Sequence, residues 1–425
     1  MSKILYDLFP LKKYAGYEVN SMYKEIIRNK KAVYYFSGGA VSKIGDILSG
    51  LAFLFLAYRM TGSSIHTTIV AIAETTPYLL FGLFGGALAD HINRRNVMVI
   101  IDLIRLIVLT IIIFLYIQDW LTYPHLLVGG FLLQCCGCFF NPAHRAVLPA
   151  IIPEEKLSTA NSAWDTIQRT ASLIGPILAA WLLASADIIY FFIIDAASYA
   201  ISALCLSRLP TMPPTSEEGR LSIASLYRSV FDFFKWISKK PVLLHLYITT
   251  FFVVFFNTWV WQVGILLAFK EITQNGEQWY NALQIAFGIG ATIISILIPL
   301  LIKRLDMKKY ILGCVIWGLG ISIIGSAYMV PFFFVGAILI GIGLPISSLT
   351  RVYLIQTHVP KVMLGRAFSS NAVLLYAANT LSLALYAVLL SFLSIRSLIL
   401  LSGAGILVIV CFYMLGTFFR KKPGV

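Results

Sequence analysis

Long apolar runs separated by short polar stretches repeat along nearly the whole chain. Each run is long enough, at about 20 residues, to cross the hydrocarbon core of a bilayer as a helix. A backbone in lipid must satisfy its own hydrogen bonds, which an uninterrupted apolar run does as a helix. The predicted spans are residues 33–58, 65–88, 96–118, 122–142, 158–184, 187–207, 241–269, 279–302, 309–330, 331–357, 366–392 and 395–419. The pattern therefore predicts an all-α polytopic membrane protein with twelve transmembrane helices.

The longest polar stretch separates the first six spans from the last six. Its second part places Tyr227, Phe231 and Phe234 at helical spacing among basic residues, which predicts an amphipathic surface helix in the inner headgroup layer. A helix that binds a partner is the alternative. The predicted organisation is a cytosolic amphipathic lead-in (1–32), an N-terminal six-helix half (33–208), a cytosolic linker with the surface helix (209–240), a C-terminal six-helix half (241–419) and a cytosolic tail (420–425).

The two halves resemble each other at one loop. PEEKLSTA begins at Pro153 and PKVMLGRA begins at Pro360, and they share the proline, a leucine and an alanine at equal spacing. Arg145 and Arg351 precede them. Both segments stand before the fifth span of their half, so the pattern indicates a duplicated six-span unit with pseudo-symmetric halves.

Composition and charge agree with a membrane location and set the orientation. Of 425 residues, 59% are hydrophobic and 12% charged, and the mean hydropathy is +0.84. Positive residues concentrate in the amino-terminal segment, the even-numbered loops and the tail, whereas the odd-numbered loops hold only Arg59, Lys270 and Arg396. Both termini are therefore predicted to be cytoplasmic. The net charge of +14 attracts anionic lipid headgroups, so membrane lipid is a predicted partner and no nucleic acid is required.

A charged stretch, GGALADHINRR at 85–95, follows the second span directly. It resembles the pattern G-x-L-x-D-R-x-G-R-R, which marks this loop in the major facilitator superfamily. His91 replaces an arginine of the pattern and Asn93 replaces its second glycine, although asparagine still tolerates a left-handed turn. Two further segments, 139–176 and 359–369, are similar to the branch that contains enterobactin and macrolide exporters. The matching residues of the pattern are Gly86, Leu88, Asp90, Arg94 and Arg95.

The resemblance implies a cytoplasmic gate at this loop. In the superfamily the aspartate pairs across the loop and against the end of span 11, which holds the cytoplasmic side shut. The residues implied here are Gly86, Asp90, Arg94 and Arg95. The alternative is that the arginines only follow the positive-inside rule.

Eight ionisable residues of the first half fall at depth inside the predicted spans. Each costs about 2.5 to 3.5 kcal/mol at a helix centre, so each must face a partner or a cavity. Spacings of three or four residues predict the pairs Lys43–Asp46, Asp102–Arg105 and Asp165–Arg169. We expect the last two pairs to extend the gate network around Asp90, because their acids lie about two turns from the cytoplasmic helix ends.

Three acidic residues lie near the middle of their predicted spans, and so near mid-membrane: Asp46, Glu74 and Asp195. A carboxylate that takes up and releases a proton in a cavity is what proton-coupled transport requires. Asp46 is the preferred carrier, because Lys43 one turn away holds it ionised when close and releases it when the helices move. Glu74 is the second choice. The alternative is a neutral acid bonded to a neighbouring helix.

The second half carries amide and aromatic groups where the first carries charges. A cavity that binds a bulky, partly apolar small molecule needs such groups. The candidates are Asn257, Trp261, Gln262, Gln284, Asn371, Tyr376 and Asn379. Trp261 and its neighbour Trp259 alternatively belong to an interfacial aromatic belt.

The leading functional hypothesis is a secondary transporter that exports a small amphiphilic molecule, such as a siderophore or a macrolide-like compound, by alternating access. The proton motive force supplies the energy, no cofactor or metal is expected, and the monomer is the expected functional unit in a bacterial inner membrane. A siderophore importer or a lipid flippase of the same fold is the alternative. A membrane enzyme is disfavoured, because no spanning histidine pair, G-x-S-x-G motif or phosphate-binding loop occurs.

Overall fold

The computed structural model describes residues 24–26, 28–62, 64–212, 223–302 and 304–420, so most of the predicted lead-in, part of the linker and the tail after residue 420 lie outside it. In this part of the chain the structure is helical. The helices are α1 Lys30–Thr61, α2 Ser64–His91, α3 Arg94–Ile117, α4 Tyr123–Ile151, α5 Leu157–Ser185, α6 Ile189–Ser207, α7 Ile223–Ser238, α8 Pro241–Trp259, α9 Ile265–Ile272, α10 Gly276–Leu301, α11 Met307–Ser326, α12 Val330–His358, α13 Leu364–Leu389 and α14 Ile395–Arg420.

Each predicted span is occupied by a helix, so the all-α membrane architecture is confirmed. Eleven of the helical segments in the described ranges are long and apolar enough to cross a membrane. The helix at predicted span 2, α2, is 28 residues long and is not among the eleven. The predicted linker helix is α7, which begins at Ile223.

Predicted span 7 differs from a continuous α-helix. Between α8 and α9 the residues Val260–Gly264 form one π-helical turn, which contains Trp261 and Gln262. Gly264 lies under the ring of Trp259, because a Cβ built there comes to 2.8 Å from that ring. A π turn widens the helix and re-aims the side chains in it, and such turns are frequent at functional sites.

The described chain folds into two compact units. One contains 24–236 together with 355–373, and the other contains 237–354 together with 374–420. Residues 355–373 hold the end of α12 and the start of α13, which belong by sequence to the second half. The candidate gate around Asp90 and the start of α13 therefore lies within one unit.

Small residues on α1 allow it to lie close to α6. Gly38 faces Ser202 and Cys205 of α6, and Gly45 faces Asp195 and Ser198 so closely that an added Cβ would overlap them. In lipid no hydrophobic effect drives apolar side chains together, so close backbone approach and polar contacts hold such helices together.

The faces of α3 show the same principle. Its buried face carries Asp102 and Arg105, whereas Ile100, Ile104 and Ile107 on the opposite face are about half exposed, with exposed fractions of 56%, 44% and 58%. A spanning helix turns its apolar side to lipid and its charges inward.

Candidate functional site

Asp90 lies near the end of α2 and is fully buried. Its Oδ1 accepts hydrogen bonds from the Arg94 guanidinium at 3.0 Å and from the backbone N–H of Gly365 at 2.9 Å. Its Oδ2 accepts from both the backbone N–H and the Nε of Arg366, each at 3.1 Å. Charge-assisted bonds of this kind are the strong ones in proteins. Asp90 thus joins α2 to the first turn of α13, and we call Asp90, Arg94, Gly365 and Arg366 the latch cluster.

The two arginines of the latch cluster reach further than Asp90. Arg94 also donates to the carbonyls of Lys361 at 2.7 Å and Ala146 at 3.4 Å. Arg366 lies in the first turn of α13, where the helix dipole disfavours a cation, and Asp90 offsets that cost. Both guanidiniums are buried, so removing their carboxylate leaves two charges without their counter-charge.

Two glycines allow the helices to meet at the latch cluster. A Cβ on Gly86 would overlap the backbone carbonyl of Gly365, and a Cβ on Gly365 would overlap the carbonyl of Gly86 and lie 2.7 Å from Asp90 Oδ1. The glycine of the sequence pattern is therefore explained by close backbone approach rather than by a turn.

Gly365→Ala is expected to lower the midpoint of thermal unfolding, because the new methyl group pushes α13 away from Asp90. Glycine to alanine within a helix normally stabilises by about 0.5 to 1 kcal/mol. Gly50→Ala on α1 is the matched control, since a Cβ there meets no atom within 4 Å, and it is expected to raise the midpoint. Equal midpoints for the two purified variants would contradict this account of the latch cluster.

The other predicted gate residues are placed differently. Asp165 and Arg169 form an ion pair on α5 at 2.6 Å. Within the described residues Arg95 forms no ion pair with Asp90, and its Nε is buried without a hydrogen-bond partner. Asp102 and Arg105 pair with each other at 3.5 Å but do not contact Asp90. The reason is distance along α3, because Asp102 lies eight residues beyond Arg94, which is about 12 Å.

Asp102 and Arg105 instead belong to a charge cluster with α1 and α6. Asp46 of α1 accepts a hydrogen bond from the Tyr199 hydroxyl of α6 at 2.8 Å. Asp195, fully buried on α6, accepts from Ser198 at 3.0 Å and lies against Gly45, the residue before Asp46 on α1. We call Asp46, Asp102, Arg105, Asp195 and Tyr199 the carboxylate cluster.

Arg105 supplies the positive charge of the carboxylate cluster. Its guanidinium lies 4.8 Å from the ring centroid of Phe140 and 5.2 Å from that of Tyr199. Aromatic faces at these distances stabilise a cation. The predicted pair Lys43–Asp46 is not an ion pair in the described residues. The Tyr199 hydroxyl, from the neighbouring helix α6, takes the place at Asp46 that helical spacing alone assigned to Lys43.

Glu74, the third acid at depth, is separate from this cluster. It lies half-buried on α2 against α4, where a Cβ built on Gly130 comes to 3.5 Å from the Glu74 Cγ. Within the described ranges no hydrogen bond or ion pair of its carboxyl group is recorded, and no group of three His, Cys, Asp or Glu side chains is arranged to hold a metal ion.

Several candidate cavity residues of the second half form hydrogen bonds or ring contacts with other side chains. Asn257 accepts from the Trp317 indole at 2.9 Å, and Asn379 accepts from Thr258 at 2.6 Å. Gln284 donates to the Tyr280 hydroxyl at 2.7 Å, and the ring of Trp261 lies 4.3 Å from that of Phe287. Trp259 is buried in the core and stacks on Tyr386, so it does not belong to an interfacial belt. Gln262 is exposed, and Asn371 and Tyr376 are half-buried on α13.

Sequence reasoning missed Arg366 and Tyr199. Arg366 follows Pro360 in the repeated loop segment, and its position at the start of a helix was the available signal. Tyr199 stands four residues after Asp195 and so shares its helix face. Neither position identifies its partner, because Asp90 is 276 residues from Arg366 and Asp46 is 153 residues from Tyr199.

Comparisons with known proteins agree with this architecture. Residues 35–311 match the family described as Major Facilitator Superfamily. The chain is 24% identical to macrolide efflux protein A of Streptococcus pyogenes, covering 91% of this chain and 97% of the relative. It is 22% identical to the multidrug efflux pump Tap of Mycolicibacterium fortuitum, over 80% and 84% of the two chains.

Solved structures share the fold at low identity. A bacterial homologue of the iron transporter ferroportin in an outward-facing state matches with a TM-score of 0.73 at 15% identity, covering 90% of this chain and 98% of that one. The Escherichia coli fucose:proton symporter matches with a TM-score of 0.69 at 13% identity, covering 93% and 98%. These likenesses show the fold alone.

Proposed function

This chain belongs to the major facilitator superfamily and is therefore an integral membrane transporter, and we propose that it exports a small amphiphilic molecule in exchange for protons by alternating access. The carboxylate cluster is the observation that carries this proposal. Carboxyl groups from α1, α3 and α6 gather around Arg105: Asp102 pairs with it at 3.5 Å, its guanidinium lies over the Tyr199 ring, and the Tyr199 hydroxyl donates to Asp46. If all were ionised, the cluster would hold two uncompensated negative charges inside the protein. Such charge is expensive at membrane depth, so proton uptake is the simplest way to neutralise it.

Asp46 is the proposed proton carrier. It is half-buried, whereas Asp102 and Asp195 are fully buried, so it is the most accessible carboxyl group of the carboxylate cluster. The Tyr199 hydroxyl of α6 donates a hydrogen bond to it. Movement of α1 relative to α6 changes that contact and so links proton uptake to conformation. Glu74 remains the second candidate, and Lys43 and Asp195 remain further candidates for proton coupling.

The latch cluster is proposed to hold the cytoplasmic side shut. Arg94 and Arg366 bind one carboxylate from two elements that are distant in sequence, and those bonds must break before α2 and the start of α13 separate. Asp165 and Arg169 are proposed to support the same side. Coupling follows when protonation and substrate binding favour opposite states of the latch cluster.

The direction and the substrate class rest on the relatives. Relatives named as a macrolide efflux protein and a multidrug efflux pump favour outward transport of amphiphilic compounds. The π turn with Trp261, together with Gln284 and Tyr376, offers aromatic surface and amide groups suited to such a molecule. We place the transporter in a bacterial cytoplasmic membrane with both termini inside and the monomer as the working unit.

A deletion strain is expected to reveal the substrate. Its growth medium should lack, or contain at least about tenfold less of, one amphiphilic metabolite or siderophore that accumulates inside the cells, because transport against a gradient of that size costs only 1.4 kcal/mol. Mass spectrometry of medium and cell extract measures both pools. Complementation with the wild-type gene should restore the balance. A compound that stays in the medium and is depleted inside the deletion strain would instead show import.

A further inference from the structure

The linker helix α7 presents three different faces. A helix turns about 100° per residue, so residues four apart share a face. Ser229 and Phe233 are buried and form the face that docks on the protein. Tyr227, Phe231 and Phe234 form a second face and are 60%, 68% and 45% exposed. By the same geometry this second face lies about 150° from the docked one.

The third face of α7 is charged. Arg228, Lys235 and Asp232 are exposed there, and the exposed Lys239 and Lys240 follow directly after the helix. The excess charge is positive. Exposed aromatic rings beside basic side chains are the composition that lies in the headgroup layer of an anionic membrane.

The docked face of α7 touches the latch cluster itself. The Arg366 guanidinium that binds Asp90 also donates to the backbone carbonyl of Ser229 at 3.2 Å. His91, next to Asp90, directs Nδ1 to the Ala87 carbonyl at 2.7 Å, so Nδ1 is the donor and Nε2 faces the Ser229 hydroxyl at 3.5 Å. At the border of the exposed aromatic face, the ring of Tyr227 also meets that of Phe84 on α2 edge to face at 4.9 Å. Arg366 therefore forms hydrogen bonds both to α7 and to Asp90.

We propose that the aromatic and basic faces of α7 bind the anionic phospholipid surface of the inner leaflet and thereby stabilise the closed latch cluster. Lipid that holds α7 in place keeps the Ser229 carbonyl within hydrogen-bonding distance of Arg366. Arg366, in turn, holds Asp90 of α2 against the start of α13. Phospholipid is the occupant because the face adjoins spanning helices and its charge is complementary to anionic headgroups. The proposal does not depend on the transported molecule or on proton coupling.

The backbone amides of Gly365 and Arg366 provide a direct readout. Amides in the first turn of a helix depend on a capping group, and here that group is Asp90. Their hydrogen exchange, measured by mass spectrometry on the full chain in nanodiscs, reports closure of the latch cluster. We expect exchange in the segment 359–368 to slow by about fivefold when phosphatidylglycerol is added to phosphatidylcholine nanodiscs, a factor typical of coupling between sites. High salt should reduce the effect.

Four variants make the test specific. Arg228→Gln with Lys235→Gln, and separately Phe231→Ser, should abolish the response to phosphatidylglycerol while the segment stays protected at the wild-type level in phosphatidylcholine. Arg304→Gln with Lys308→Gln removes two exposed charges elsewhere and should retain the response. Asp90→Asn should exchange fast in both lipids, which validates the readout. Equal exchange of the wild type in both lipids, or a full response in the α7 variants, would overturn the proposal and leave a protein partner as the occupant of α7.

Discussion

Asp90→Asn is expected to open the cytoplasmic side of the transporter. The asparagine side chain keeps one oxygen that accepts hydrogen bonds, but it carries no charge. Its NH₂ group replaces the second carboxylate oxygen and cannot accept the hydrogen bonds that this oxygen accepts in Asp90. Arg94 and Arg366 then remain buried without a counter-charge. Breaking a buried ion pair by removing one partner costs about 3 to 5 kcal/mol. A shift of that size changes the ratio of closed to open states by more than about a hundredfold.

Cysteine reactivity measures this shift. In a variant without the native cysteines, Ser369→Cys on α13 and Ala87→Cys on α2 lie at positions that are buried in the closed state. Their labelling by a water-soluble maleimide should accelerate in the presence of Asp90→Asn. Asp306→Asn is the matched control, because Asp306 caps α11 by accepting from the Lys309 N–H of its own helix. Unchanged labelling in a folded Asp90→Asn protein would leave the arginines only a topological role.

Asp46→Asn is expected to abolish concentrative transport while leaving exchange intact. Asparagine fits the space of Asp46 and still accepts from the Tyr199 hydroxyl, but it takes up no proton. In inverted vesicles an imposed pH gradient should therefore drive no accumulation of substrate. Downhill exchange of labelled for unlabelled substrate requires no net proton movement and should continue at near the wild-type rate.

Two further variants interpret that result. Asp187→Asn is the matched control, because Asp187 also accepts from a tyrosine hydroxyl, that of Tyr116 at 2.8 Å, but at an exposed site. It should transport like the wild type. Glu74→Gln tests the second candidate in the same assay. If Asp46→Asn and Glu74→Gln each still concentrate substrate, the carrier lies elsewhere, with Asp195 or another ion as the next hypothesis.

Much of the fold could be predicted from the sequence, because the bilayer imposes a simple rule on it. A spanning segment must be apolar for about 20 residues and must satisfy its backbone internally, so hydropathy alone locates the helices. The π turn at Val260–Gly264 was not predictable in this way. It preserves the apolar pattern and depends on how Trp259 fits over Gly264.

The candidate sites divide along the same line. Contacts within one helix, such as Asp165–Arg169, follow from spacing and were predicted. The sequence pattern also pointed to Asp90, but it did not identify Arg366, nor did it separate Asp102 and Arg105 from the gate. Lys43 was assigned to Asp46 because intrahelical spacing was the only geometry that the sequence offers.

The sequence by itself determined which segments cross the membrane and which residues carry charge into it. Both follow from the free energy of transfer into lipid, which depends on the chemistry of each residue by itself. Only the tertiary structure decided which charges share a site. An uncompensated buried charge is satisfied by whichever helix approaches it, and that approach is set by small residues such as Gly45, Gly86 and Gly365, whose contacts lie far away in the chain.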